Sequence, residues 1–223
     1  MIVVHHLEKS RSHRIVWLLE ELGLDYEVVR YARDPATLRA SPELKAVHPL
    51  GRAPVVVEGG EVLSESGAII ETLLDRHDPE GRLRPPVGSP ERVRWQHWMH
   101  FAEGSAMPPL LLTLVFGRIR QAPMPFFVRP IARRIADGAM QGFVGPQVRA
   151  NGDYIESALR ERAWFAGDAF SAADIQMSFP LQAMAARADV SAWPALNDWL
   201  RRIEARAAWQ RAVERVGPLA LLG

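Results

Sequence analysis

The chain has 223 residues, 48% of them apolar, no cysteine, and a formal net charge of +1. That composition fills real cores in one large domain or two small ones, and it excludes disulfides, thiolate metal sites and any thiol chemistry borne by the protein itself. Near-neutral charge gives no global case for nucleic acid or acidic lipid, no long uncharged apolar run offers a membrane span, and the start "MIVVHHLEKS" lacks the regions of a signal peptide, so a cytoplasmic protein is expected.

The segment "IVVHH" reads as a short apolar strand. "SHRIVWLLEELG" follows with Ile15, Leu18, Leu19 and Leu22 on one helical face and Gly23 placed to end it. "YEVVR" is a second strand; after a loop and a short helix around "SPELKAV", "PVVVEGGEVL" reads as two strands joined at Gly59-Gly60. "SESGAIIETLLDRH" closes this half as a helix with Glu65 in its first turn. The order βαβαββα predicts a small mixed sheet with helices packed on it. "DPEGRLRPPVGSP" is crowded with proline and glycine and has no apolar periodicity. Residues 79–89 therefore read as a linker between a domain over 1–78 and a second over 90–223. From Glu91 onward apolar positions recur at three and four, as in "ERVRWQHWMHFAEG" and "PALNDWLRRIEARAAWQRAVERV", so the second domain is all-α. Charge changes with the boundary: residues 1–80 hold 9 basic against 14 acidic residues, the remainder 18 against 12.

Four constellations stand out. "EKSRSHRIVWLLEELG" gathers Ser10, Ser12, His13 and Arg14 at the mouth of the first helix. In "HPLGRAPVVV" a proline opens a β-branched run, where it need not donate to a ladder. Base rates alone favour a trans bond there. Its place in a βαβ-ββα half resembles the thioredoxin-like fold, in which a cis-proline opens the third strand; with Ala53-Pro54 cis, Ala53 would offer N–H and C=O to a peptide-like ligand. "LSESGAII" sets Glu65 and Ser66 at a helix start, where the hydroxyl and unpaired N–H groups suit a ligand carboxylate and Glu65 its ammonium; simple capping by Ser64 or Ser66 is the alternative. "GDAFSAADIQMSF" pairs Ser171 with Asp174 in a capping box, with Phe170 and Ile175 at the staple positions, which is a folding device.

Together these pieces resemble the glutathione S-transferase superfamily, over the whole chain. More narrowly, "SRSHRIVWLLEELGLDYEVV", "HPLGRAP", "EGSAMPPLLL", "MPFFVRPIARRIAD" and "SAADIQMSFPLQ" look like the fungal and bacterial branch active with general electrophiles and hydroperoxides. The resemblance implies a thioredoxin-like domain that binds glutathione as co-substrate and an all-helical domain that forms the electrophile pocket. Ser10 matches the serine beside the glutathione sulfur, with Ser12 as the alternative. Glu65 and Ser66 match the pair that holds the γ-glutamyl group, and Ala53 before Pro54 matches the backbone that pairs with the cysteinyl portion. Arg52 and Arg39 fall where relatives place basic residues for the glycine carboxylate. In the helical half, Trp98, Phe101, Met107, Leu111 and Phe116 are candidate lining for the electrophile, with plain helical core the alternative for most of them. The likeness also implies a homodimer and detoxification of small electrophiles or hydroperoxides, without nucleic acid or membrane as partner.

A free thiol has a pKa of about 8.5, so lowering it by about two units requires about 2.7 kcal/mol in favour of the anion. A hydroxyl is far too weak a base to take the proton. It can donate to the sulfur anion, worth about 1.5–3 kcal/mol, and a helix N-terminus adds about 0.3–1. On this reading Ser10 donates, Ser12 caps the helix, His13 faces solvent, and Arg14 pairs within the first domain. His5 and His6 alternate across a strand, so one points inward, and no ligand set for a metal accompanies them. A non-catalytic glutathione- or ligand-binding protein on the same fold is the rival reading. A serine hydrolase is disfavoured because no Gly-x-Ser-x-Gly elbow is present.

Overall fold

The computed structural model describes residues 1–34, 37 and 40–219. The N-terminal half runs β1 (Ile2–Leu7), α1 (Ser12–Leu22), β2 (Tyr26–Tyr31), α2 (Pro42–Val47), β3 (Val55–Glu58), β4 (Glu61–Ser64) and α3 (Ser66–His77). The four strands form one sheet in the order β2-β1-β3-β4, with β1 parallel to β2 and the other pairings antiparallel. This is the expected βαβαββα thioredoxin-like half. Gly23 ends α1 in the left-handed region at φ 69°, where its N–H bonds the Leu19 carbonyl. Gly59 and Gly60, both at positive φ, turn β3 into β4.

β1 is an inner strand covered on both faces. His6 looks toward α1, while His5 looks toward a small second cluster in which Leu7 and Tyr31 pack on Leu44 of α2. Both histidines are therefore buried, where alternation alone had placed only one inside.

The C-terminal half is helical: α4 (Pro90–Phe101), α5 (Met107–Gln121), α6 (Arg129–Ala139), α7 (Gly145–Glu161), α8 (Ala172–Ala185), α9 (Pro194–Glu204) and α10 (Ala207–Val216). Two π-helical segments, Ala102–Ala106 and Met140–Val144, interrupt what would be the continuous rods α4–α5 and α6–α7. Almost every residue of α8 is buried, which is why its apolar residues show no single stripe: it is the hub of this half. Its capping box is formed, Asp174 accepting from the Ser171 N–H at 3.0 Å and the Ser171 hydroxyl at 3.1 Å. No helix among the described residues is long and apolar enough to cross a membrane.

The Pro/Gly-rich stretch after α3 is tied down along its length. The buried carboxylate of Asp78 accepts from the N–H groups of Arg82 and Leu83, and the Leu83 carbonyl accepts from the Ala172 N–H at the start of α8. One apolar core runs through both halves. α10 returns to lie on α1, so that Trp209 meets Trp17 edge-on at 4.8 Å and His13 at 4.7 Å.

Candidate functional site

Strand register brings three of the sequence constellations to one edge of the sheet. His5 pairs with Val55 and Val55 with Ser64, so the carboxyl end of β1, the residues before β3 and the residues after β4 lie side by side. The loop carrying Ser10, the Ala53-Pro54 peptide and the Glu65-Ser66 pair therefore converge. The Ala53-Pro54 bond is cis. Gly51, two residues before Ala53, sits at φ 56°, a backbone conformation that favours glycine, and a Cβ there would also have to displace the Lys45 side chain.

A cleft of about 870 Å³ opens at this edge between the loop after β1, α2 and the approach to β3. Ser10, Arg52 and Ala53 line it, together with Leu50 and Gly51. Among the described residues Lys9, Arg11, Arg33, Lys45 and Arg52 bring five cations to its wall, against the carboxylate of Asp34. Such a surface favours an anionic ligand. The helical half contributes Phe179 from α8. Two non-glycine residues flank the edge with backbones in the left-handed half of conformational space, Lys9 at φ 54° and Glu65 at φ 68°. Strain of that kind persists only where surrounding structure imposes it, and it concentrates at ligand sites.

Ser10 is 5% exposed, and its Oγ lies 2.7 Å from Ser12 Oγ and accepts from the Ser12 N–H at 3.2 Å. Ser12 is wholly buried behind it. Its hydroxyl makes no cap bond; it lies 2.9 Å from His6 Nδ1 and bonds the Leu7 N–H and carbonyl, each at 3.2 Å. The expected capping role of Ser12 is thus replaced by a buried bridge, because Ser12 is itself the first residue of α1 and turns inward toward β1. Burial, followed by the charge of Arg30, lowers the pKa of His6 to about 4. His13 does not face solvent. It is closed in by α10 against Trp209, and burial followed by the field of His6 lowers its pKa to about 4, so it is neutral at pH 7.

Arg14 corrects a second expectation. Its ion-pair partner is not in its own half: Nη2 donates to Glu103 at 2.5 Å, from the π-helical segment, and Nη1 donates to the Gln176 side-chain oxygen at 2.6 Å, from α8. Arg11 Nε donates to both oxygens of the same carboxylate, at 2.9 and 3.0 Å, and both guanidinium groups lie over the Phe179 ring, at 5.0 and 5.2 Å. Burial alone would raise the pKa of Glu103, yet the charges and hydrogen bonds of Arg14 and Arg11 hold it at about 2. Burial pulls Arg14 down to about 10 against the support of Glu103. Arg14 also reaches Ser66, whose Oγ accepts from Arg14 Nη1 and Gln176 Nε2, both at 3.5 Å.

Glu65 and Ser66 stand at the same sheet edge without lining the cleft. Glu65 is exposed and Ser66 is buried. Arg39 lies outside the described residues. None of the five apolar candidates of the helical half lines the cleft. Trp98 is core, packed on Phe165 at 4.6 Å and stacked on Tyr154 at 5.3 Å, and Phe101 joins the same aromatic group. Met107 is buried, Phe116 is half-buried on the core, and Leu111 is 55% exposed. Lys9, Arg11, Arg33, Lys45 and Phe179 line the cleft, and Glu103 holds Arg11; the sequence singled out none of them. Arg11 was within sight, between the two serines, whereas nothing local marks Glu103 or Phe179. Among the described residues no group of three or more His, Asp or Glu is placed to hold a metal ion.

Comparison with known proteins agrees with the two-part fold. The model of the glutathione S-transferase N-terminal domain matches residues 1–74, and that of the C-terminal domain matches residues 124–207. Glutathione S-transferase 1 of Saccharomyces cerevisiae is 34% identical, covering 98% of this chain and 97% of that protein. Glutathione S-transferase 3 of Schizosaccharomyces pombe is 38% identical, covering 97% and 88%. A crystal structure of a glutathione S-transferase from Actinobacillus pleuropneumoniae superposes with a TM-score of 0.82 at 33% identity, covering 100% of this chain and 97% of that one. The chain belongs to the glutathione S-transferase family.

Proposed function

We propose that this glutathione transferase binds glutathione along the cleft with its sulfur at Ser10 and delivers the thiolate to a small electrophile. The observation that carries the reading is the Ser10 hydroxyl, on the wall of a cation-rich cleft in a chain that has no thiol of its own. Glutathione has two carboxylates and one ammonium. Arg52 and Lys45 suit its glycine carboxylate, the Ala53 backbone its cysteinyl portion, and Ser66 with the exposed carboxylate of Glu65 its γ-glutamyl end. Ser10 donates to the sulfur anion and lowers the thiol pKa without acting as a base. The electrophile enters beside Phe179, whose ring faces both Arg11 and Arg14 and therefore keeps a fixed place at the cleft wall. The reading extends to a homodimer, supported by the family likeness; sedimentation would then return twice the 24.9 kDa chain mass.

Titration of the bound thiol by its ultraviolet thiolate absorbance tests the core of this reading. The wild type gives a midpoint below 8.5, and Ser10→Ala raises it by about one to two units, since a hydrogen bond to an anion is worth about 1.5–3 kcal/mol. Turnover with a reactive aryl halide and with cumene hydroperoxide falls in parallel. A wild-type midpoint equal to that of free glutathione overturns the reading. Intact glutathione affinity with no turnover on either substrate establishes the binding protein instead.

A further inference from the structure

Ser10, on the cleft wall, is the outer end of a row of three side chains, His6 Nδ1, Ser12 Oγ and Ser10 Oγ, linked at 2.9 and 2.7 Å, of which His6 and Ser12 are buried behind it. We infer that Ser12 and His6 are positioning residues which set the direction of the Ser10 proton, aiming it at the ligand sulfur. The inference rests on the proposed placement of the sulfur at Ser10.

A serine hydroxyl has one proton and two lone pairs. Ser12 Oγ already accepts from the Leu7 N–H, and Ser10 Oγ already accepts from the Ser12 N–H. With the Ser12 proton kept within the row, two arrangements use the remaining capacity. In the outward arrangement His6 Nδ1–H donates to Ser12, Ser12 donates to Ser10, and Ser10 has both lone pairs filled. Its one remaining capacity is its own proton, which faces the cleft. In the inward arrangement Ser10 donates to Ser12, Ser12 donates to the bare Nδ1 of His6, and Ser10 presents a lone pair to the ligand. A thiolate accepts and cannot donate, so of these two arrangements it bonds Ser10 in the outward one.

The competing acceptor for the Ser12 proton, the Leu7 carbonyl, lies at 3.2 Å against 2.7 Å for Ser10 Oγ, so the hydroxyl chain is the shorter path. A neutral imidazole protonated at Nδ1 is the source of direction. His6 is kept neutral by burial first and by the Arg30 charge second, so one of its two nitrogens is a donor and the other is not. Hydrogen bonds that run in one direction polarise one another, and the last donor in the row becomes the strongest. By linkage, whatever holds the Nδ1–H tautomer lowers the pKa of the bound thiol, and ionisation of that thiol in turn fixes the tautomer.

Nitrogen-15 NMR of histidine-labelled wild type, saturated with glutathione at a pH above the thiol midpoint, tests this directly. The inference requires His6 to carry its proton on Nδ1; a lone pair on Nδ1 in that complex overturns it. Thiolate titration of three variants supplies the second test, with thermal midpoint and glutathione affinity as controls for folding. His6→Leu raises the midpoint by about one unit, equivalent to about tenfold less thiolate below it. His6→Asn, whose amide can donate from nearly the same point, restores it toward wild type. Ser12→Ala, which breaks the row in the middle, matches or exceeds His6→Leu. If Ser10→Ala leaves the thiol midpoint unmoved, the placement of the sulfur is wrong. If Ser10→Ala moves it while His6→Leu and Ser12→Ala fold, bind and titrate as wild type, the placement stands and the directing role of His6 and Ser12 falls.

Discussion

Glu103→Ala removes the only carboxylate that the described residues place on Arg14, a guanidinium that is 1% exposed. Deleting one partner of a buried ion pair costs about 3–5 kcal/mol, because the surviving charge has neither water nor counter-ion. Two features reduce that here. Glu103 is 34% exposed, so water enters the space it leaves and screens the charge, and the Gln176 oxygen at 2.6 Å continues to accept from Arg14. The expected loss is about 2–3 kcal/mol, which lowers the thermal midpoint by about 4–12 °C for a chain of this length. Glu103→Gln keeps an acceptor and loses the charge, and falls between the two. Arg14→Met combined with Glu103→Leu recovers part of the loss, since removing both charges removes the desolvation along with the attraction. Equilibrium urea unfolding at pH 7 measures all four proteins. A Glu103→Ala protein within about 0.5 kcal/mol of wild type would refute the claim that this pair fastens the two halves together.

Acid titration of stability separates two carboxylates of opposite sign. Glu103 is depressed to about 2, so its contribution is complete above pH 4.5, its unfolded value, and disappears as pH falls toward 2; Glu103→Gln flattens that limb. Asp174 is raised to about 6 by burial against four hydrogen bonds, so the folded state takes up its proton first and this group adds stability as pH falls from about 6 toward 3.8. An Asp174→Ala protein lacks that rise, and it is less stable at pH 7 by about 3–5 kcal/mol because the indole N–H of Trp199 and the N–H groups of Phe165 and Ser171 lose their buried acceptor. Gly152→Ala puts a Cβ 2.1 Å from the Trp193 ring, which Asp153 holds by its indole N–H at 2.8 Å. Overpacking by about 1–3 kcal/mol outweighs the helix-propensity gain of about 1 kcal/mol, so this variant melts earlier, and a higher melting point would contradict the packing. Phe179→Ala raises KM for apolar electrophiles several-fold with little change in glutathione affinity; equal KM values would remove Phe179 from the electrophile's path.

The parts of this molecule legible in sequence are those whose signals are local. The strand and helix order of the first half, the Gly59-Gly60 turn and the capping box at Ser171 each follow from a few adjacent residues, and the structure has all of them. The misread residues depend on distant chain. Sequence alone puts His13 in solvent because the first turn of a helix usually is wet, and what covers it is Trp209, nearly two hundred residues later. Sequence alone pairs Arg14 within its own half because nothing near it shows that Glu103 and Gln176 arrive from the other. Which faces of "WQHWMHFAEGSAMPPLLLTLVFGRI" are buried does not follow from one periodicity, because the helical phase changes inside it. Trp98 and Leu111 lie on opposite sides of that change.

A rod with one slip in its winding has two independent orientations where an unbroken one has a single orientation. Upstream of the Ala102–Ala106 segment the rod presents α4 to the hub helix α8, and downstream it presents α5 to α6. Drift in the apolar stripe of either stretch can therefore be accommodated without re-aiming the other. The slip itself is where the chain is least free to lose a residue, since shortening it by one would rewind the rod and swing the Glu103 carboxylate away from the two guanidinium groups it joins.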